Sequence, residues 1–217
     1  MKIDFQRALT APEGAQEVIL VRHGACDPPA ADGLIGGRSD PPLNERGRAE
    51  AAAVTERLAA AAVGAVFATP LRRTGETAAA TAARHGLETT VMAELVEVYL
   101  GEWEGHGIHE RGARGDAELA RVLREQDWSL IPGAEPAPAF SARVRAGAER
   151  VADAAPPGAV AVAFTHSAVI AELCRQVTGS EPFAFLHNAN GSLTRLFRLP
   201  GGRWILVSFN DTAHLPG

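Results

Sequence analysis

Lysine is nearly absent from this 217-residue chain: Lys2 is the only one, so the basic charge rests on arginine. That bias reads as genome composition more than as a functional device. Basic charge is also in short supply overall, with 21 Lys+Arg against 26 Asp+Glu and a formal net charge of −5. The arginines are spread along the chain and not gathered into runs, which excludes the electrostatic footprint of a nucleic-acid binder. Cys26 and Cys174 are the only cysteines and lie on different elements, so no disulfide framework or redox pair is indicated and both are expected as free thiols. No apolar stretch reaches the length of a membrane span, and no basic segment followed by an apolar run opens the chain, so a membrane anchor is not expected and the protein is expected to be cytoplasmic. There is no internal repeat. What is present, 46% hydrophobic and 22% charged residues, is the composition of a chain that folds around its own core, and the length favours one domain spanning residues 1–217.

After a lead-in with Pro12 and Gly14, the run Val18-Ile19-Leu20-Val21 is apolar without alternation, as in a strand covered on both faces. A Pro/Gly/Asp-rich loop leads through Pro42 to a helix expected over 44–62, with Asn44 as its cap. A short strand over 65–68 precedes a helix opened by Thr69-Pro70 and closed by His85-Gly86. Residues 89–97 read as a third strand or extended segment. The pattern from 101 to 137 is less regular, with one helix over 116–126, and reads as an insertion or lid over the sheet edge. A long helix over 138–154, a buried strand over 159–164, a helix over 168–177 and a closing hairpin (193–199 and 204–209, joined by Pro200-Gly201-Gly202) complete the chain. Alternating strands and helices of this kind predict an α/β fold, a three-layer α/β/α sandwich on a mostly parallel sheet.

Two buried strands end the same way. The first runs directly into Arg22-His23-Gly24 and the later one into Thr165-His166-Ser167. In an open α/β sheet, ligands bind at the carboxyl ends of strands, so two neighbouring strands would bring both imidazoles to one rim. Arg22, and Arg72 or Arg73 from another strand-to-helix junction, would make that rim cationic. A guanidinium fork matches phosphate oxygens and an imidazole can attack phosphorus, so the set points to phosphate chemistry.

Separated segments then carry a family resemblance. Arg22-His23-Gly24, the stretch from Gly37-Arg38-Ser39-Asp40 through Leu43-Asn44 to Gly47, Thr69-Pro70-Leu71-Arg72-Arg73 with Thr77-Ala78, Leu95-Val96-Glu97 followed by Gly101-Glu102-Trp103-Glu104-Gly105, and Thr165-His166-Ser167 stand in order along the chain. Together they resemble the histidine phosphatase superfamily, the phosphoglycerate mutase-like proteins. The resemblance selects Arg73 over Arg72 and implies a phosphomonoesterase of a small phosphorylated metabolite. His23 would be the nucleophile, Arg22, Arg73 and His166 would hold the phosphoryl oxygens, and Glu97 would be the general acid. It implies no metal and no cofactor. Asp27, Gly37, Arg38, Tyr99 and Ser167 are expected on the substrate side.

This chain departs from the pattern at Cys26-Asp27-Pro28-Pro29, where the family has Thr or Ser and then Asn, and at Ser167, where it has glycine. Cys26 is expected to be an inert small side chain, Ser167 an added hydroxyl donor. His106 and His109 lack a completing ligand set for a metal and are expected as loop residues near the entrance. Trp103 and Trp128 are expected in packing or lid roles. A short segment after Asn210 favours hydrolysis over mutase-type phosphoryl transfer, and the intact set of residue types disfavours a catalytically silent phosphate-binding protein. The expected partner is a small phosphate ester; the edge of the closing hairpin could also pair a second copy in a homodimer, though nothing in the pattern demands it.

Overall fold

A computed structural model describes residues 12–28, 33 and 35–216, without the side chains of 108–110. The expected lead-in before Pro12, as well as Pro29 and the side chain of His109, therefore lie outside the described residues.

Six strands form one sheet: β1 (Gln16–Arg22), β2 (Val63–Ala68), β3 (Thr89–Val91), β4 (Val160–Thr165), β5 (Leu193–Arg198) and β6 (Trp204–Asp211), in the order β3-β2-β4-β1-β5-β6. The first four run parallel, and β5 is antiparallel to β1 and β6. Period-two alternation sorts the strand residues onto two apolar faces. Val18 and Leu20 of β1 and Ala161 and Ala163 of β4 face one core with α5 (Ala137–Ala154) and α6 (Ser167–Thr178). Ile19, Val21, Val162 and Phe164 face the other, with α1 (Glu45–Leu58) and α2 (Arg72–Arg84). Every residue of β4 is buried, as a strand covered on both sides must be. The three-layer α/β expectation is thus what the chain forms. Among the described residues no helix is long and apolar enough to cross a membrane.

The differences from the sequence reading lie at the element ends. Asn44 caps α1 as expected, its side chain accepting from the Gly47 N–H. Helix α2 begins only at Arg72, with Leu71 as its N-cap and no side-chain cap. Thr69, expected with Pro70 to open the helix, lies before it and has its hydroxyl engaged with His166 and Thr74. The expected extended run over 89–97 is interrupted: β3 stops at Val91, a 3-10 turn follows over Ala93–Leu95, and this turn carries Glu97 back toward the strand ends. Between 101 and 137 the chain forms α3 (Ile108–Ala113), α4 (Ala117–Glu125) and two 3-10 turns; α3 had no counterpart in the sequence pattern. Trp103, Leu119, Val122 and Ile131 from this region are buried in the same apolar cluster as α5 and α6. Trp103 is thus a packing residue.

Candidate active site

The site is a consequence of register. β1 and β4 pair in parallel from Glu17↔Val160 to Arg22↔Thr165, so the next residue on each chain is a histidine. The His23 N–H donates to the Thr165 carbonyl at 3.0 Å, and the two imidazoles sit with ring centroids 5.2 Å apart in an edge-to-face arrangement. His23 is 6% exposed and His166 not at all, so both rings are withdrawn from bulk water.

Each ring has one nitrogen fixed. The His23 Nδ1–H donates to the Gly24 carbonyl at 2.7 Å, which leaves Nε2 as the lone-pair nitrogen. His166 Nε2 lies 2.9 Å from the Thr69 hydroxyl. With that hydroxyl donating, the proton of a neutral His166 sits on Nδ1, a buried nitrogen without a partner among the described residues. Burial, followed by the nearby Arg73 and Arg22 guanidinium groups, holds both imidazoles well below the usual histidine range. Both are neutral at physiological pH.

Arg73, in the first turn of α2, is fully buried. Its Nη1 donates to the Ser39 carbonyl at 2.6 Å and its Nη2 to the Gly36 carbonyl at 3.1 Å. Arg22 donates through Nη1 to the Asn188 carbonyl. The Nε of each arginine is buried with no partner among the described residues. Arg72 points elsewhere: it is exposed and pairs with Glu76 across one helical turn, so the choice of Arg73 fits its placement.

Glu97 is 8% exposed and accepts the Val98 N–H at 2.9 Å and the Ala168 N–H at 3.2 Å. Burial raises its carboxyl above the usual range, against the pull of those two amides and of Arg73 and Arg22. His23, Arg22, Glu97 and Ser167 line one cavity of about 330 Å3, together with Cys26, Trp128 and Asn190.

The backbone around His23 is held by close approach. A Cβ on Gly24 would meet the Gly47 carbonyl oxygen at 2.4 Å, and one on Gly47 would meet the Ala25 oxygen at 2.0 Å, so the first turn of α1 seats directly on the His23 loop only because both residues are glycine. The buried Glu50 of α1 accepts the Ala25 N–H at 2.7 Å, and Thr77 of α2 accepts the Gly24 N–H at 3.0 Å.

Residues 18–212 match the histidine phosphatase superfamily (branch 1). The chain belongs to that superfamily. It is 30% identical over 203 residues to phosphoglycerate mutase-like protein 4 of Arabidopsis thaliana, covering 92% of this chain and 86% of that protein. It is 28% identical over 208 residues to the metal-independent phosphoserine phosphatase of the same plant, with 92% and 83% covered. Among solved structures, a mycobacterial glucosyl-3-phosphoglycerate phosphatase is similar with a TM-score of 0.75 and 29% identity, covering 91% of this chain and all (100%) of that one.

Within this member of the superfamily the residues expected on the substrate side do not converge. Ser167 lines the His23 cavity, but its hydroxyl donates to the Leu186 carbonyl at 2.7 Å, so its proton is spent on the fold and the expected extra donor is not offered. Gly37, Arg38 and Tyr99 line a neighbouring cleft, where the Arg38 guanidinium stacks 3.8 Å from the Tyr99 ring centroid. Asp27 is exposed and accepts from the Asn44 amide at 2.8 Å; the structure does not bring it into the cavity. Cys26 lines the cavity, and burial pushes its thiol up, which suits the inert reading. His106 is exposed, and the described residues contain no group of three metal-ligating side chains.

Sequence reasoning missed the supports. Asn190 donates to the His23 carbonyl at 2.9 Å, Thr69 fixes His166, and Glu104 accepts the Arg38, Ser39 and Leu100 N–H groups. Glu104 stood inside a quoted segment, yet nothing in the spacing tied it to the carbonyls that hold Arg73.

Proposed function

We propose that the protein is a phosphomonoesterase that acts on a small phosphate ester through a phosphohistidine. The observation that carries this reading is the set of buried nitrogens without partners around His23: Nε of Arg22, Nε of Arg73 and Nδ1 of His166. A buried N–H left without an acceptor costs about 1–3 kcal/mol, and a phosphoryl group supplies anionic oxygens for all three.

The chemistry follows from the fixed tautomers. Nε2 of neutral His23 attacks phosphorus in line, the P–O bond to the alcohol breaks, and protonated Glu97 gives its proton to the departing oxygen. The two guanidinium groups and the His166 N–H meet the charge spread over the phosphoryl oxygens. Water then attacks phosphorus, gives a proton to the Glu97 carboxylate, and releases inorganic phosphate and free His23. The family relationship supports an enzyme of this kind, and the phosphatase names among the relatives support hydrolysis.

The test is phosphate release from a panel of phosphate esters, with trapping of acid-labile phosphoprotein on rapid quench. Hydrolysis and labelling that both vanish in His23→Ala are expected. Rapid interconversion of 2- and 3-phosphoglycerate with little phosphate release would replace the reading with mutase-type transfer.

A further inference from the structure

A second cavity, of about 240 Å3, adjoins the one that holds His23, and the two share Val98, Trp128, Ala168 and Leu186 in their walls. Its character is different. Phe140 and Phe183 join Trp128 there, with the Trp128 and Phe183 rings stacked at 4.6 Å. This wall is built from distant parts of the chain and secured. Gln126, at the end of α4, adopts the left-handed conformation (φ 53°) that a side chain rarely takes, and its amide oxygen accepts the Phe183 N–H at 2.9 Å.

The charges in this second cavity are already matched on the cationic side. Arg175 is engaged by both carboxylate oxygens of Glu172 at 2.8 Å each. Asp127 uses one oxygen to accept the Ser129 N–H and makes no ion pair among the described residues. An anionic group entering here would meet an aromatic wall and an uncompensated carboxylate.

We propose that this aromatic slot receives the alcohol portion of the substrate, and that the substrate is a phosphate monoester of an apolar, preferably aromatic, alcohol that carries no second anionic group. The proposal rests on the phosphomonoesterase reading for the phosphoryl end alone. Continuity of the two cavities sets the path: with phosphorus at His23, the ester oxygen leaves past Glu97, Val98 and Ala168, and the carbon chain runs on along the wall that the stacked Trp128 and Phe183 rings make with Phe140.

The test compares esters with similar aliphatic leaving groups, so that intrinsic reactivity does not decide the result: 2-phenylethyl phosphate, glycerol 1-phosphate and 3-phosphoglycerate. The expected kcat/KM is highest for 2-phenylethyl phosphate, by about ten-fold or more over 3-phosphoglycerate. Phe183→Ala, which lines the slot and not the His23 cavity, raises KM for 2-phenylethyl phosphate about ten-fold and changes KM for glycerol 1-phosphate much less; Phe183→Leu gives an intermediate value. Asp127→Asn, which retains an oxygen for the Ser129 N–H, raises kcat/KM for 3-phosphoglycerate several-fold, by about three to ten. Equal or higher kcat/KM for 3-phosphoglycerate in the unmodified protein, or a KM for 2-phenylethyl phosphate that Phe183→Ala leaves unchanged, overturns the slot. Calorimetric binding of 2-phenylethyl phosphate separates the two readings. If no ester is hydrolysed yet binding weakens about ten-fold in Phe183→Ala, the phosphatase reading fails and the slot stands; binding that ignores Phe183 removes the slot itself.

Discussion

His23 and His166 stand one residue beyond a strand pair registered from Glu17/Val160 to Arg22/Thr165, whereas Trp128 and Phe183 meet through turns that no strand register connects. We call the first pair the floor of the proposed site and the second the roof of the proposed slot beside it. Position on the floor is set by backbone hydrogen bonds between β1, buried over 18–21, and the fully buried β4, so an error of one residue would turn an entire apolar set toward the wrong face. Position in the roof depends on a few side-chain contacts, such as Gln126 to Phe183. A floor of that kind suits chemistry that needs fixed distances, and a roof of that kind suits a leaving group that varies.

The sharpest way to break this division is at the floor. His23→Ala removes the proposed nucleophile without touching the roof, and kcat is expected to fall by about 10^4-fold or more while 2-phenylethyl phosphate still binds. Rapid-quench kinetics and calorimetry on one preparation check both halves. Loss of binding together with turnover would show that floor and roof are not separate.

Glu97 lies where they meet, on the floor by its hydrogen bonds and in the wall of the cavity that opens to the roof. Glu97→Gln keeps the side-chain shape and removes the proton. For 2-phenylethyl phosphate kcat is expected to drop by about 10^2- to 10^4-fold, and for 4-nitrophenyl phosphate, whose leaving group needs little protonation, by much less. Equal losses on both substrates would end its assignment as the acid.

The same division explains what the sequence made legible. Unbroken apolar runs at 18–21 and 159–164, each followed two residues on by a histidine, carried the sheet, the parallel pairing and the two imidazoles. Glu97 was legible only through the family resemblance, since β3 ends at Val91 and a 3-10 turn, not a strand, delivers it. The substrate side was not legible. Asp27 and Ser167 were singled out for standing beside motif residues, but both side chains satisfy local partners, the Asn44 amide and the Leu186 carbonyl. Trp128 and Phe183 come together from segments whose approach no periodicity records.

Glu104 tests whether the floor has supports as weak as those of the roof. Its carboxylate gathers the Arg38, Ser39 and Leu100 N–H groups, and the Gly36 and Ser39 carbonyls of that same loop accept from Arg73. Glu104→Ala is expected to lower kcat about ten-fold by loosening Arg73. Arg73→Ala alone costs more, about 10^2- to 10^3-fold, and the two losses are not additive, because the second substitution removes what the first had already displaced. Additive losses in that double-mutant cycle would mean that Glu104 does not act through Arg73.

The smallest expected effect is on stability, and it has a direction that separates the two regions. His23 and His166 are held well below the ordinary histidine value of 6.5, chiefly by burial. Between the folded and unfolded values the unfolded chain binds protons that the folded chain refuses, so folding stability is full above 6.5 and falls as pH drops below it. Glu97, raised by burial from 4.5, works the other way: in the window above 4.5 the folded state holds the extra proton, so stability falls as pH rises through that window. His214, lowered chiefly by burial, works in the same direction as His23 and His166, so three imidazoles oppose one carboxyl. The net slope below pH 6.5 is therefore toward instability in acid. Urea unfolding followed at pH 7.5, 6.5 and 5.5 measures it. His166→Gln removes one of these titrating rings and flattens the slope, while Phe183→Ala, in a roof whose lining holds no histidine, shifts the midpoint by the same amount at every pH. A slope that Phe183→Ala alters and His166→Gln does not would place the acid sensitivity in the roof and break the division.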